Sequence, residues 1–497
     1  MSSTEPTKTR EEIEERARVE LENLRGKTLT NKMRLSIPVQ EMPTQDPQVR
    51  RSNMSEVATG YTKSQAMLEA QRCLQCKNAP CVAGCPVRID IPAFIARTRE
   101  GDFVGAAQII KRTNLLPTIC GRVCPQEKQC QMPCTVGKSL GGTDKAVQIG
   151  RLERFVADAA REAGKDEIPE VHGSTGKRIA VVGAGPAGLT CAVDVRREGH
   201  EVVVFEAFHK AGGVMVYGIP EFRLPKVLVA KEASTLEAMG VSFEMNYLVG
   251  RTRKLSSLLK EDGFDAVFIG TGAGLPKFMD IPGENLVGVF SANEYLTRAN
   301  LMKAYDREHA ATPIYPSRRV AVLGGGNVAM DSARMALRLG AEDVHVLYRR
   351  TREEMPARGE EVVHAEEEGV VFDFLKSPTR VLGDDAGRVA ALEVLSYELG
   401  APDDSGRRRP VPIRGSETVI PFDTVIVAVG NESNPLIART TPELRVDEQG
   451  HILVDEKQKT SLDRVYAGGD IVLGSATVIL AMGEGRRAAS AINEVLQ

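Results

Sequence analysis

The sequence predicts an α/β protein in which a helical, cysteine-rich N-terminal region precedes two Rossmann-like dinucleotide-binding units. Three observations predict it. Eight of the nine cysteines lie between Cys73 and Cys134, among six prolines and short helical stretches. KRIAVV runs from Lys177 into Gly183-Ala184-Gly185-Pro186-Ala187-Gly188, then a helix, then a second strand, EVVVFEA, from Glu201. From Arg318 the same pattern recurs: RRVAVL, Gly324-Gly325-Gly326-Asn327-Val328-Ala329, a helix, and DVHVLYRR. A lone glycine fingerprint is a weak signal. Two copies, each between an apolar strand and a helix, are a strong one.

A chain of 497 residues is too long for one domain. A net charge of −3 offers no basic field for nucleic acid. No apolar run approaches the ~18 residues that would suggest a membrane span. The first residues, MSSTEPTKTREEIEERAR, have no apolar core of a secretory signal. The expectation is a cytoplasmic protein with no nucleic-acid and no membrane partner. In that compartment clustered cysteines read as metal ligands before disulfides.

The elements follow in order. Residues 8–26 form a charged helix with a thin stripe of Ile13, Ala17, Val19, Leu21 and Leu24, either solvated or an arm for a partner. Residues 35–55, with Pro38, Pro43 and Pro47, read as extended chain. Helices are predicted at 63–72, 92–100, 102–112 and 145–163, with a polar break at 164–177. Further strands are predicted at 265–273, 423–431 and 464–472. Residues 403–416 read as an exposed loop with Arg407–Arg409 solvated. The run Glu366-Glu367-Glu368 reads as a solvated helix face, and the seven histidines show no metal spacing.

The chemistry lies in the cysteines and the two glycine loops. Cys73, Cys76, Cys81 and Cys85 are spaced by two, four and three residues, with Pro86 next; Cys120, Cys124, Cys130 and Cys134 follow. Close thiolates suit an iron–sulfur cluster, and eight cysteines can hold two. The spacing departs from the bacterial ferredoxin run, and zinc is the alternative, although zinc sites favour CxxC pairs with a longer gap. In each glycine loop the backbone can approach a pyrophosphate at a helix N-terminus. Glu206, 23 residues past Gly183, would accept a ribose 2′-hydroxyl, which fits FAD or NAD. The matching strand of the second unit ends in Arg349-Arg350, where guanidinium suits the 2′-phosphate of NADP(H). With FAD in the first site, Gly213, Gly469 and Asp470 suit close backbone approach, and a helix over 477–489 could face the flavin. Cys191 is single, in the first Rossmann helix, so no cysteine pair stands beside a flavin. Electrons would leave it through the cysteine region.

RCLQCKNAPCVAGCPVRIDIPAFI, CGRVCPQEKQCQMPC, IGRLERF, VVGAGPAGLTCA, GGVMVYGIPEFRLPK, GGGNVAMDSAR, YRRTREEMPA and AGGDIV together resemble the small (beta) subunit family of NADPH-dependent glutamate synthase. That family includes the large subunit of NADH-dependent reduced ferredoxin:NADP oxidoreductase, and the N-terminal part of dihydropyrimidine dehydrogenase is similar. The resemblance implies a glutathione-reductase-like arrangement of the two Rossmann domains, the second inserted in the first. The boundaries expected are 1–40 for an N-terminal extension, 41–173 for a helical double [4Fe–4S] domain, 174–292 and 423–497 for the FAD domain, and 293–422 for the NADP(H) domain. It implies one cluster on Cys73, Cys76, Cys81 and Cys134 and another on Cys85, Cys124, Cys130 and Glu153, with Cys120 not a ligand. It implies FAD against 183–188, Glu206, Gly213, Arg223, Gly469 and Asp470, with Thr477 near the ring. It implies NADP(H) against Gly324, Gly326, Asn327, Val328, Arg349, Arg350 and Gly430. Hydride would pass between NADP(H) and FAD by cofactor positioning, with no acid–base residue, and single electrons through the clusters to a second redox subunit. That partner would be a small flavin/iron–sulfur subunit of a bifurcating ferredoxin:NADP oxidoreductase, or the glutamate synthase large subunit. CKNAPC and CPVRIDIPAFI favour the first, and ferredoxin is then a further partner.

Overall fold

The computed structural model describes residues 9–165, 168–403 and 406–496. Residues 1–8 of the expected extension, 166–167 of the expected break and 404–405 of the expected loop lie outside the described residues.

Beyond residue 177 the chain builds two parallel five-stranded sheets. The first orders its strands Val465–Ala467, Ala266–Ile269, Arg178–Val182, Glu201–Phe205 and Ser242–Glu244. The second orders Val289–Ser291, Thr424–Val427, Arg319–Leu323, Asp343–Tyr348 and Val371–Phe374. The two orders correspond strand for strand, and the glycine loop follows the middle strand in each. Residues 179–182 and 320–323 are buried throughout, because helices cover both faces of a parallel sheet; hence their unbroken apolar runs. The chain leaves the first sheet after Ile269, completes the second, and returns at Val465, so the second domain is inserted in the first.

Two boundaries shift. Strands Val289–Ser291 and Thr424–Val427 lie outside the 293–422 expected for the NADP(H) domain, yet both hydrogen-bond within its sheet. A strand ending in a glycine turn reads alike in either sheet, and tertiary pairing decides where it belongs. The loop expected at 403–416 also contains a strand. Arg408–Pro412 pairs antiparallel with Val389–Pro402, in a separate sheet completed by Lys376–Gly383 and Thr418–Pro421. Its two prolines hid it, and they are tolerated because the strand is at an edge.

The N-terminal domain is helical. Arg10–Leu24 starts at a capping box between Thr9 and Glu12 and buries Ala17 against Leu68 and Ile37. Its Glu14 accepts the Ser64 hydroxyl at 2.7 Å. The apolar stripe is thus spent on this chain's own domain. The segment expected to be extended opens on the last two residues of the helix Asn31–Ser36 and holds one short helix, Pro47–Arg50, with proline in its first turn. Helices Ile91–Glu100, Phe103–Lys111 and Pro117–Val123 follow, and Ile149–Glu162 crosses Pro117–Val123 so closely that a Cβ on Gly121 would lie 2.5 Å from the Arg154 nitrogen.

The acidic run is a solvated face only in part: Glu366 and Glu367 are exposed, and Glu368 is not. Glu368 is fully buried and accepts from Arg50 at 3.0 Å, Arg334 at 2.7 Å and Arg338 at 2.6 Å. Arg50 belongs to the N-terminal domain, so this carboxylate joins that domain to the inserted one. Helical periodicity cannot show it, because Glu368 ends the helix Gly359–Glu367 and the partners are distant in sequence.

Candidate functional site

Cys73, Cys76, Cys81 and Cys134 line one small hollow walled by Ile91, Pro92, Ile95, Val147 and Ile149. Cys73 follows the helix Lys63–Gln71, and Cys134 precedes Thr135–Leu140. Burial first, then the nearby Cys73, Cys134 and Cys76, push the Cys81 thiol up to about 12. Cys85, Cys124, Cys130 and Glu153 form a second buried group. Burial, with Glu153 and Cys124 adding to it, raises Cys85 to about 11, opposed by the backbone amides of Ile89 and Val87. Burial pushes Glu153 up to about 8, offset in part by the Asn114 amide 2.6 Å away. Cys130 is raised by burial, then by Glu153, Cys85, Cys124 and Cys81, which places the two groups side by side.

This donor chemistry fits a cluster. No disulfide joins any of the nine cysteines. Among the described residues, no three His, Cys, Asp or Glu side chains converge as a single metal ion requires. Zinc would draw its sulfurs to about 2.3 Å from one point, whereas a cubane holds its thiolates apart around a hollow. Thiols such as Cys81 and Cys85, which burial keeps protonated, ionise on binding a metal cation.

The first glycine loop fits a dinucleotide. Gly183 has φ +103°, and a Cβ there would lie 2.5 Å from the Gly270 oxygen. Gly185, the N-cap of Pro186–Arg197, faces open space, and no side chain caps that helix. Its amides are left for a phosphate. Glu206 is buried and accepts from the Ala184 amide at 2.8 Å and the Phe208 amide at 2.9 Å, which sets its carboxylate beside the loop. Gly213 packs on Gly185. Burial lifts Asp470 to about 6. Glu484, which sequence reasoning missed, holds the turn before Asp470 by accepting the Gly469 amide at 2.8 Å. Tyr217 was also missed; burial first, then the charges of Asp470 and Glu206, push its hydroxyl up to about 12.

Arg223, expected beside the flavin, is committed elsewhere. Its guanidinium binds both Asp331 oxygens at 2.7 Å and lies 3.1 Å from Glu361, on helices of the inserted domain. A buried arginine must be paired, and these two carboxylates pair it.

The second loop repeats the design. Gly326 faces open space at the uncapped N-terminus of Asn327–Arg338, and Gly430 is open as well. Val328 is exposed, and the Asn327 side chain accepts the Arg358 amide at 2.9 Å, so it braces the loop. The two arginines differ. Arg350 is buried, donating to the Arg408 carbonyl at 2.8 Å and Asp403 at 2.9 Å. Arg349 is exposed and makes no hydrogen bond or ion pair among the described residues.

The helix Val478–Leu496 joins the parts. A Cβ on Gly485 would lie 2.2 Å from the Ala187 oxygen, so the helix lies tight on the first glycine-loop helix. Its other side meets the second cysteine group. Met482 sulfur is 3.6 Å from Cys120 sulfur, Gly483 faces the Pro86 carbonyl, and Thr477 accepts from Gln129 at 3.3 Å.

Residues 50–165 match the family described as dihydropyrimidine dehydrogenase domain II, 4Fe-4S cluster, and residues 177–485 match pyridine nucleotide-disulphide oxidoreductase. The chain is 37% identical over 481 residues to the glutamate synthase (NADPH) small chain of Halomonas elongata, covering 94% of this chain and all of that one. It is 37% identical over 463 residues to the protein of the same name in Escherichia coli K12, covering 92% and 96%. It is 38% identical to the putative oxidoreductase AegA of Escherichia coli K12, covering 90% and 68%. Among solved structures, Mycobacterium tuberculosis FprA in complex with NADPH shares the fold, at a TM-score of 0.53 and 20% identity over 64% of this chain and 84% of that one. No helix among the described residues is long and apolar enough to cross a membrane.

Proposed function

The chain belongs to the glutamate synthase (NADPH) small-chain family, oxidoreductases with iron–sulfur, FAD and NADP(H) cofactors, and from that premise we propose that it is the NADPH-oxidising electron-transfer subunit of a larger enzyme. The observation that carries this reading is that the helix Val478–Leu496 packs on the first glycine-loop helix at Gly485 and on the cysteine region at Cys120 and Pro86.

When bound, NADP(H) and FAD supply hydride exchange and the clusters supply single-electron transfer. The residues hold and orient these groups. Gly183–Gly188 and Glu206 bind the FAD pyrophosphate and ribose; Gly213, Gly469 and Asp470 close around it, and Thr477 starts the helix beside it. Gly324, Gly326 and Gly430 open the NADP(H) cradle around the loop that carries Asn327 and Val328. Arg349 meets the 2′-phosphate, while Arg350 holds the neighbouring hairpin in place. Cys85, Cys124, Cys130 and Glu153 hold the inner cluster, and Cys73, Cys76, Cys81 and Cys134 the outer one. Ile91, Ile95, Val147 and Ile149 wall the outer hollow and limit water around it.

The partner proposed is an amidotransferase subunit of the glutamate synthase type, because relatives matched over nearly their whole length carry that name. The ferredoxin:NADP oxidoreductase reading, with bifurcation, rests on the two cysteine motifs alone. A cytoplasmic setting belongs to the same proposal, since clustered reduced thiols need a reducing compartment. Copurification from the native cell tests the partner. NADPH oxidation coupled to glutamate formation by the recovered complex is the expected result. Reduction of ferredoxin by NADPH that requires NAD would overturn the amidotransferase reading.

A further inference from the structure

We propose that Asn114 is a positioning residue that selects which oxygen of Glu153 meets the inner cluster and tunes that cluster's potential. The inference rests on the proposal that Glu153 is a ligand.

Asn114 is fully buried just before the helix Pro117–Val123. Its Oδ1 accepts the Leu116 backbone amide at 3.0 Å. A backbone N–H can only donate, so the side-chain orientation is settled: Oδ1 faces Leu116, and Nδ2 must face the other way. Nδ2 donates to Glu153 Oε1 at 2.6 Å. The other carboxylate oxygen, Oε2, has no protein hydrogen-bond partner among the described residues, although Cys85, Cys124 and Cys130 all feel the Glu153 charge. One oxygen is therefore tied back to the protein and one is left for iron. Cys120 lies on the same amide, its sulfur 3.6 Å from Asn114 Oδ1. Asn114 thus touches Glu153 of the donor set and Cys120 beside it.

The consequence is electronic. A carboxylate that receives a hydrogen bond donates less charge to its metal, and hydrogen bonds to ligands are among the protein's means of setting a cluster's potential. The Asn114 donor favours the reduced cluster. Without it the cluster holds its electron less well, and Oε1 is released to chelate.

Two variants test this in the full chain with its cofactors. Asn114→Ser keeps an oxygen for the Leu116 amide but removes Nδ2, and its shorter hydroxyl ends one bond short of the position from which Nδ2 reaches Glu153 at 2.6 Å; Asn114→Ala loses both. Redox titration followed by electron paramagnetic resonance should show one cluster harder to reduce by about tenfold in its equilibrium, 59 mV for one electron, in both variants alike. The other cluster and the flavin should not move. Glu153→Ala is the reference. If Glu153→Ala changes the iron content or spectrum of one cluster and Asn114→Ser leaves that cluster's potential and spectrum unchanged, the Asn114 proposal is overturned and the ligand reading stands. If neither variant changes them, both are overturned. A shift in Asn114→Ala alone would mean that Asn114 acts only by holding the turn at Leu116, which also overturns the proposal.

Discussion

At the residue scale, two adjacent arginines have separate tasks. Arg349 is exposed and without a protein partner among the described residues, whereas Arg350 is spent on Asp403 and the Arg408 carbonyl. A guanidinium hydrogen bond to phosphate is worth about 1.5–3 kcal/mol. Arg349→Ala should therefore raise the KM for NADPH by roughly 10- to 100-fold and leave that for NADH unchanged, as steady-state assays with both nucleotides will show. If NADPH and NADH are affected equally, Arg349 does not read the 2′-phosphate. Arg350→Ala should act differently, loosening the hairpin 389–412 and lowering the melting temperature. The sequence shows that guanidinium replaces an acid at this strand end. It does not show which arginine is free, because Asp403 lies 53 residues away. Arg223 marks the same limit. Its motif resembles a flavin-site signature, while its charge is used up by Asp331 and Glu361.

At the element scale, two contacts hold the fold: one joins two domains, and the other lies within the first Rossmann domain. Glu368 brings three guanidinium groups, from two domains, onto one buried carboxylate. Burial opposes its ionisation, but the hydrogen bonds and charges of Arg334 and Arg338 outweigh burial and hold it down at about 2. A carboxyl held below its ordinary 4.5 adds stability above that pH and loses it as the pH falls toward about 2. Glu368→Gln should cost about 3–5 kcal/mol near neutrality, since it leaves buried guanidinium unpaired. It should also flatten the loss of stability between pH 4.5 and 2, which denaturant melts at several pH values will show. The second contact is steric. A side chain at Gly485 would collide with Ala187 on the first glycine-loop helix. Gly485→Val should cost at least about 1–3 kcal/mol and reduce the flavin bound per chain, measured by absorbance of the purified protein. Glycine fingerprints, apolar strands and short helices were legible in the sequence because they are local patterns. The strand Arg408–Pro412 and the burial of Glu368 were not, because both depend on partners far along the chain.

At the scale of the whole molecule, the order of the parts implies an order of events. The helix beside the flavin loop meets the cysteine region at Cys120, which shares Asn114 with Glu153, and the proposed order puts the Cys81 group beyond it. The interleaving that the family resemblance implies fits this order: Cys134 would close the outer set, while Cys124 and Cys130, nearer in sequence to Cys134 than to Cys85, would serve the inner one. Loss of an outer ligand should therefore separate two steps that occur in one chain. Cys81→Ser leaves both glycine loops, Glu206, Arg349 and the inner donor set intact. Rapid mixing with NADPH should bleach the flavin at the rate of the unmodified protein. Delivery of electrons to the partner subunit should fall by more than about tenfold, given that even the residues supporting a metal ligand are worth roughly 10–100-fold. Cys85→Ser removes an inner ligand and should also block delivery, but with the outer cluster's spectrum preserved. Equal delivery by Cys81→Ser and the unmodified protein would show that electrons leave without passing the outer group, and the linear order would have to be abandoned.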